Sequence, residues 1–289
     1  MSLCEERFGL RPAREVHDKL VAVFGQTPRH TLDAWVERLA SRDADDVEWL
    51  GVVEDLTVHE TYFFRDEEQL DFLRNRILVP LIRERRARAD FTLRIWSAAC
   101  ATGEETYTIA MLLLDAMREL GEATEELDGS IVLPLPWSVE VVGTDVARPV
   151  LRTAATGTYV VTEYGSFRQL DASRWGRLFE DAAPPEHAAF KSLTWRRPKD
   201  CVRRLVRFRP HNLCDATPPG AAFDVVTCRN VFIYFDAPSQ ARAERTIARA
   251  LAPGGALVMG PTDRLMRREH FAAAWHENFL YFVRTEIPA

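Results

Sequence analysis

Phe223-Asp-Val-Val-Thr-Cys-Arg-Asn-Val-Phe-Ile-Tyr-Phe-Asp236 decides how the rest of the chain is read. Phe223–Cys228 is a short Val-rich apolar run behind the breaker cluster Pro218-Pro219-Gly220. That pattern predicts a strand buried on both faces. Arg229-Asn230 then sets a charge and an amide at its carboxyl end, where open α/β sheets bind ligands. A solvated strand end is the ordinary fate of such a pair. Here the apolar residues Val231–Phe235 follow at once, which argues for enclosure.

Outward from this strand, the chain beyond residue 90 alternates between strand and helix. Thr92–Ala98, Ser138–Gly143, Val206–Arg209, Ala256–Gly260 and Phe279–Arg284 read as strands. Glu104–Leu120, a segment from about Ala147, and Pro238–Leu251 read as helices, and Pro253-Gly254-Gly255 as a turn. Alternation of this kind predicts right-handed βαβ crossovers and a mostly parallel sheet. Residues from Tyr159 to Lys199 break the rhythm, carry Pro184-Pro185, and read as an inserted subdomain or long loop.

Ahead of the sheet, residues 12–56 read as a small helical unit. Pro12 opens a first helix carrying Val16, Leu20, Val23 and Phe24. Thr31 is the expected cap of a second, carrying Leu32, Trp35, Val36 and Leu39, and Asp45 or Asp46 opens a third with Val47, Leu50, Val53 and Glu54. From Asp66 to about Arg88 the spacing of Leu70, Leu73, Ile77 and Leu81 predicts a long amphipathic helix. Pro80 should kink or break it, and the Arg83–Arg88 cluster suits its negative end.

Composition narrows the function. The chain has 289 residues, 47% hydrophobic and 28% charged, with a net charge of −6. That is an ordinary globular balance, and it gives no global attraction to nucleic acid. No apolar run approaches the roughly 20 residues that span a bilayer, and Met1-Ser-Leu-Cys-Glu-Glu-Arg lacks the parts of a signal peptide. The five cysteines (4, 100, 201, 214, 228) form no Cys-x-x-Cys pair. Reduced thiols in the cytosol are the expectation. The histidines show no metal-ligand spacing, so no metal is expected. Cys100 and Cys228 flank the expected pocket but read as packing residues. The basic stretch Lys191–Arg209 reads as a solvated face, or as a surface for an acidic protein.

The second informative segment is Ile95-Trp-Ser-Ala-Ala-Cys-Ala-Thr-Gly-Glu-Glu-Thr-Tyr107, running from a strand into a helix. Its small residues admit a close ligand, and Thr102 with Glu105 suits a capping box. Two glutamates at a helix start repel a pyrophosphate and suit a ligand with positive charge. The next strand ends Val141-Val-Gly-Thr-Asp145, which places an acid where Rossmann-type folds bond ribose hydroxyls.

Together these segments resemble, in order, the motifs of the CheR family, the chemotaxis receptor glutamate methyltransferases. Cys228-Arg-Asn-Val-Phe-Ile-Tyr-Phe235 is similar to that family's Cys-Arg-Asn-Val-x-Ile-Tyr-Phe, and Trp96–Glu105 to its Trp-Ser-Ala-(Ala/Gly)-x-x-Thr-Gly-Glu-Glu. Thr61-Tyr-Phe-Phe-Arg65 resembles its Thr-x-Phe-Phe-Arg, and Asn212-Leu213 its Asn-Leu after the third strand. The likeness covers roughly residues 55–285. It implies an α/β, Rossmann-like S-adenosylmethionine-dependent methyltransferase fold over residues 91–289. A small N-terminal helical domain (1–56), a linker with the long helix (57–90) and an inserted antiparallel subdomain within about 160–205 complete it.

The same resemblance implies the chemistry. The cofactor would be S-adenosylmethionine, leaving S-adenosylhomocysteine, and the substrate would be glutamate side chains of a methyl-accepting chemoreceptor's cytoplasmic region. Glu104 would take the methionine amino group, Asp145 the ribose hydroxyls, and Asn212 with Leu213 the adenine. Arg229 and Asn230 would contact the methionine end. Thr61 and Arg65 would line the pocket from the linker, beside His59, where the family often has Asn. Arg65 and Tyr234 would orient the carboxylate being methylated. Thr106 stands where Pro is common, and Gly260-Pro-Thr-Asp263 where a Gly-x-Ser-Glu-like segment is usual. In the family the insert can capture a receptor's C-terminal peptide as an added strand. A cytoplasmic monomer is the expectation. The alternatives are a methyltransferase of the same fold acting on another carboxylate, and a non-catalytic S-adenosylmethionine-binding regulator.

Overall fold

In the computed structural model, the described residues are 8, 18, 21–22, 24–43, 46, 48–49, 51–52, 59–169, 177–186, 188, 191–267 and 269–285. Helix α1 (Arg29–Ala40) follows Pro28, so Thr31 lies inside the helix and does not cap it. Leu39 is buried, and its carbonyl accepts the Trp49 indole N–H at 2.8 Å. Of the first and third expected helices, Val16, Leu20, Val23, Val47, Leu50 and Val53 lie outside the described residues.

The expected long helix has three parts. Helix α2 (Glu67–Phe72) passes through a π-helical turn (Leu73–Leu78) into α3 (Val79–Ala87). Pro80 therefore does not break it. Pro80 has no N–H and crowds the carbonyl of the preceding turn. The π turn ahead of it is wider, with the Val79 N–H reaching back to the Arg74 carbonyl, so the crowding is relieved without a stop.

The remaining elements, in order, are β1 (Thr92–Ala98), α4 (Glu104–Glu119), the short hairpin β2 (Thr124–Glu125) and β3 (Ile131–Val132), β4 (Ser138–Asp145) and α5 (Arg148–Thr156). Next come β5 (Tyr159–Val160), β6 (Phe179–Asp181), β7 (Trp195–Pro198), α6 (Asp200–Arg203), β8 (Val206–Pro210) and β9 (Phe223–Cys228). The chain closes with α7 (Ala237–Ala250), β10 (Leu251–Met259), β11 (Phe271–His276) and β12 (Phe279–Arg284).

Among the described residues the main sheet runs β11-β12-β10-β9-β1-β4-β8. Strands β8, β4, β1, β9 and β10 are parallel, and the β12–β11 hairpin is antiparallel at one edge. Neighbouring positions in each central strand feed opposite cores. Ile95, Val141, Val225 and Val258 join α2–α4 on one face, whereas Trp96, Val142, Val226 and Leu257 join α7 on the other. This is why β9 is buried at every position and why its sequence shows no polar alternation. Each such side chain contributes roughly 1.5–3 kcal/mol by leaving water.

Two strands differ from expectation. β10 begins at Leu251, and a register shift between Leu251 and Ala256 absorbs Pro253-Gly254-Gly255 as an irregularity within the strand. β11 carries no strong strand pattern in Phe-Ala-Ala-Ala-Trp-His, and exists through its pairing with β12.

Residues between β5 and β7 form a separate antiparallel sheet, β5-β7-β6. Phe63, from the linker, fills the junction. Its ring meets Tyr159, Phe167 and Phe179 at centroid distances of 5.0, 5.1 and 4.8 Å, and its N–H donates to the Ser166 carbonyl at 2.8 Å. Much of the basic stretch 191–209 is neutralised locally. Arg196 pairs with Asp181, Arg197 with Glu180, Arg203 with Asp200 and Arg209 with Glu140.

Candidate active site

The strand order reverses between β1 and β9, and polar groups from four segments converge on a cavity at the carboxyl ends of these strands. Among the described residues His59, Thr61, Arg65, Asp145, Asn212, Leu213, Arg229, Asn230 and Tyr234 line it. Phe8, Tyr62, Cys100, Glu105, His211 and Phe235 line it as well.

The backbone around the cavity is unusual. Phe64, Asp66, Ala99, Ala101 and Asn230 have φ of 60°, 58°, 56°, 48° and 59°, and Gly103 has φ of 94°. Left-handed non-Gly residues cost about 1–3 kcal/mol each and gather where function requires the geometry. At Gly103 a side chain is excluded twice, because a Cβ there would sit 2.8 Å from Ala154 Cβ and 2.9 Å from Phe208 Cζ.

The turn from β1 into α4 presents two glutamates, and the structure separates them. Glu104 is buried and does not line the cavity. Its Oε2 accepts the Thr102 hydroxyl and its Oε1 the Ser166 hydroxyl, both at 2.7 Å. Burial pushes its pKa up, against those two donors. Glu105, one helical step of about 100° onward, faces the cavity. Its Oε1 accepts hydroxyls from Ser97 (2.8 Å) and Thr227 (2.7 Å), and its Oε2 accepts Arg229 Nη1 (3.0 Å). Ser97 and Thr227 are register partners on β1 and β9, so two adjacent strand ends aim hydroxyls at one oxygen. The expected capping box does not form. Gly103 is the N-cap, without a side-chain bond, and Glu105 has the better donors.

Asp145 ends β4. Its Oδ2 accepts the Ala101 N–H and its Oδ1 the Ala147 N–H, both at 2.9 Å. Burial raises its pKa, offset in part by those N–H groups and by nearby His59. Asn212 Oδ1 accepts the Cys214 N–H at 2.9 Å, which turns the chain after β8 and sets Leu213 against the cavity.

Arg229 is a buried hub. Nε donates to Gln69 Oε1 (2.7 Å), Nη1 to Glu105, and Nη2 to the Arg65 carbonyl (2.8 Å) and Asp66 Oδ2 (2.9 Å). Four of its five donors are thereby engaged. Gln69 in turn donates to the Met259 carbonyl at 2.7 Å. Arg229 thus ties the linker and α2 to the β1–α4 turn. Arg65 donates to the Glu60 carbonyl at 2.8 Å and lies 5.8 Å from the Tyr62 ring centre. Cys100 and Cys228 are buried, and burial lifts both thiols well above their ordinary pKa, which keeps them protonated. Among the described residues no His, Cys, Asp and Glu group is arranged to hold a metal ion.

Gln69 and Asp66 hold Arg229 and were given no role by the sequence, and Glu105 was read there as a capping residue and as one of a pair of acids.

The family described as CheR methyltransferase, SAM binding domain, matches residues 59–277. A chemotaxis protein methyltransferase of Pseudomonas aeruginosa is 34% identical over 214 residues, covering 74% of this chain and 69% of the relative. The chemotaxis protein methyltransferase of Vibrio parahaemolyticus is 32% identical over 216 residues, covering 75% and 68%.

Proposed function

We propose, from the premise that the chain belongs to the CheR methyltransferase family, that it transfers a methyl group from S-adenosylmethionine to glutamate side chains of a methyl-accepting chemoreceptor, forming methyl esters. The observation that carries this reading is one cavity at the sheet's switch point, walled by all four sequence segments that resemble the family's motifs.

The side chains present fit the cofactor. Glu105 has three acceptor sites filled, so one of its roughly four lone-pair sites is left for an ammonium group. It is better placed for that role than Glu104, which faces Ser166 of the insert region. Each oxygen of Asp145 accepts one backbone N–H and keeps acceptor capacity for ribose hydroxyls. Leu213 and Val231 offer apolar surface to the adenine. When bound, S-adenosylmethionine supplies a methyl group on a positively charged sulfur.

Glutamate has a pKa of about 4.3, so the accepting carboxylate is ionised at neutral pH and no side chain has to remove a proton. The chain's task is alignment and exclusion of water. Such positioning lowers a barrier by roughly 7–11 kcal/mol at best. Arg65 and Tyr234 present the donors that orient the carboxylate. A single-oxygen contact from Arg65 is favoured, because a bidentate clamp would weaken the nucleophile. Phe8, Tyr62 and Phe235 enclose the space.

The test is Arg65→Ala with two readouts. Transfer to a receptor cytoplasmic fragment should fall about 100-fold or more, while S-adenosylhomocysteine affinity measured by calorimetry stays within about threefold. Selective loss of cofactor affinity would remove Arg65 from the substrate side.

A further inference from the structure

We propose that Asp263 is a positioning residue for methyl transfer: from outside the cavity, its carboxylate fixes the loop that carries Arg229, Asn230 and Tyr234. The inference rests on the methyltransferase reading for its kinetic consequence, and on geometry for the rest.

β9 ends at Cys228, and the next residues leave the ladder. Asn230 is left-handed, and Phe232–Tyr234 forms one 3-10 turn. Backbone N–H groups released in this way need acceptors when buried. Asp263 supplies them. Its Oδ2 accepts the Asn230 N–H at 2.5 Å and the Gly260 N–H at 3.2 Å, and its Oδ1 accepts the Phe232 N–H at 3.0 Å. Asp263 is only 5% exposed and does not line the cavity. A desolvated carboxylate is costly unless hydrogen-bonded, and here three converging N–H groups compensate it.

The contact is closed on both sides. A Cβ at Gly260 would lie 2.7 Å from the Asn230 nitrogen and 2.8 Å from Asp263 Oδ2, so no side chain fits between the two loops. The loop bearing Asp263 is itself anchored by Glu244 of α7. That carboxylate accepts the Met266 and Arg267 N–H groups at 2.6 and 2.9 Å. The chain of support runs from α7 through Glu244 and Asp263 to Asn230, and from there to the cavity wall.

Asp263→Asn retains the shape but keeps one acceptor oxygen and turns an NH2 group toward N–H donors. Gly260→Ala leaves the charge in place and pushes the loops apart. Both variants should lower kcat for transfer to a receptor fragment about 100-fold, the scale of an ångström-level misplacement. Asp263→Glu, with both oxygens retained, should recover part of the loss. Hydrogen exchange read on the intact protein should accelerate at the Asn230 and Phe232 amides in Asp263→Asn and remain unchanged along β4. Wild-type exchange at those amides in Asp263→Asn would overturn the proposal. So would a kcat loss matched by the unfolded fraction, or failure of Asp263→Glu to rescue. A wild type that transfers no methyl group would defeat the methyltransferase reading alone, and the exchange comparison would still decide the positioning claim.

Discussion

The two ends of the parallel strands use buried charge in opposite ways. At the carboxyl ends, Glu105 accepts from Ser97, Thr227 and Arg229, the backbone turns left-handed at Ala99, Ala101 and Asn230, and the polar groups open on a cavity. At the amino ends the polar groups close on each other. Asp224, near the start of β9, accepts the Arg94 N–H at 2.8 Å and is bonded by Arg85, which also bonds Asp90. Arg94 reaches Glu140 at 3.2 Å, and its guanidinium lies 4.8 Å from the Phe223 ring centre. One end stores strain and keeps acceptor sites open for a ligand. The other spends its acceptors on holding α3 to the sheet.

This contrast has measurable consequences. The largest is at Glu105. Glu105→Gln removes a charge-assisted acceptor worth about 1.5–3 kcal/mol, so S-adenosylhomocysteine affinity should fall roughly 10–100-fold in calorimetry. An unchanged affinity with a lowered unfolding free energy would make this end structural, like the other. Next comes Asp224→Asn, which leaves Arg85 short of a partner and should cost about 1–3 kcal/mol in urea unfolding. Its cofactor affinity should match wild type, and a weakened affinity would blur the division between the ends.

The smallest effect is at Glu104, whose folded pKa is raised by burial. The folded carboxyl therefore holds its proton more tightly than the unfolded one. Its contribution favours folding below the ordinary value of 4.5 and is lost as pH rises through the raised value. Glu104→Gln mimics the protonated form. It should match wild-type stability in acid and exceed it at neutral pH, with cofactor affinity kept. A drop in affinity comparable to that of Glu105→Gln would return Glu104 to the cofactor site.

The parts legible in the sequence are those whose causes are local. A strand buried on both faces must be apolar at every position, so Phe223–Cys228 declares itself. The small residues and paired glutamates of Trp96–Glu105 mark a turn that admits a ligand. The different surroundings of the two glutamates were not legible, because they depend on the helix starting after Gly103 and on Ser97 meeting Thr227 across two strands. Asp263 and Gln69 were hidden for the same reason. Their bonds to the Asn230 N–H and to Arg229 span 33 and 160 residues, so the local sequence, which marks Asp263 only through the Gly260–Asp263 segment, does not name their partners. β11 was missed because three alanines carry little strand preference of their own, and pairing with β12 makes the strand.

One measurement bears most directly on the central claim, that the cavity at the carboxyl ends moves a methyl group onto a carboxylate. The protein is incubated with methyl-labelled S-adenosylmethionine and a chemoreceptor cytoplasmic fragment, and the product is treated with base. Label released as methanol, lost in Arg65→Ala and kept in Asp224→Asn, is the predicted result. Label that stays on the receptor through base, or no label at all, would contradict it.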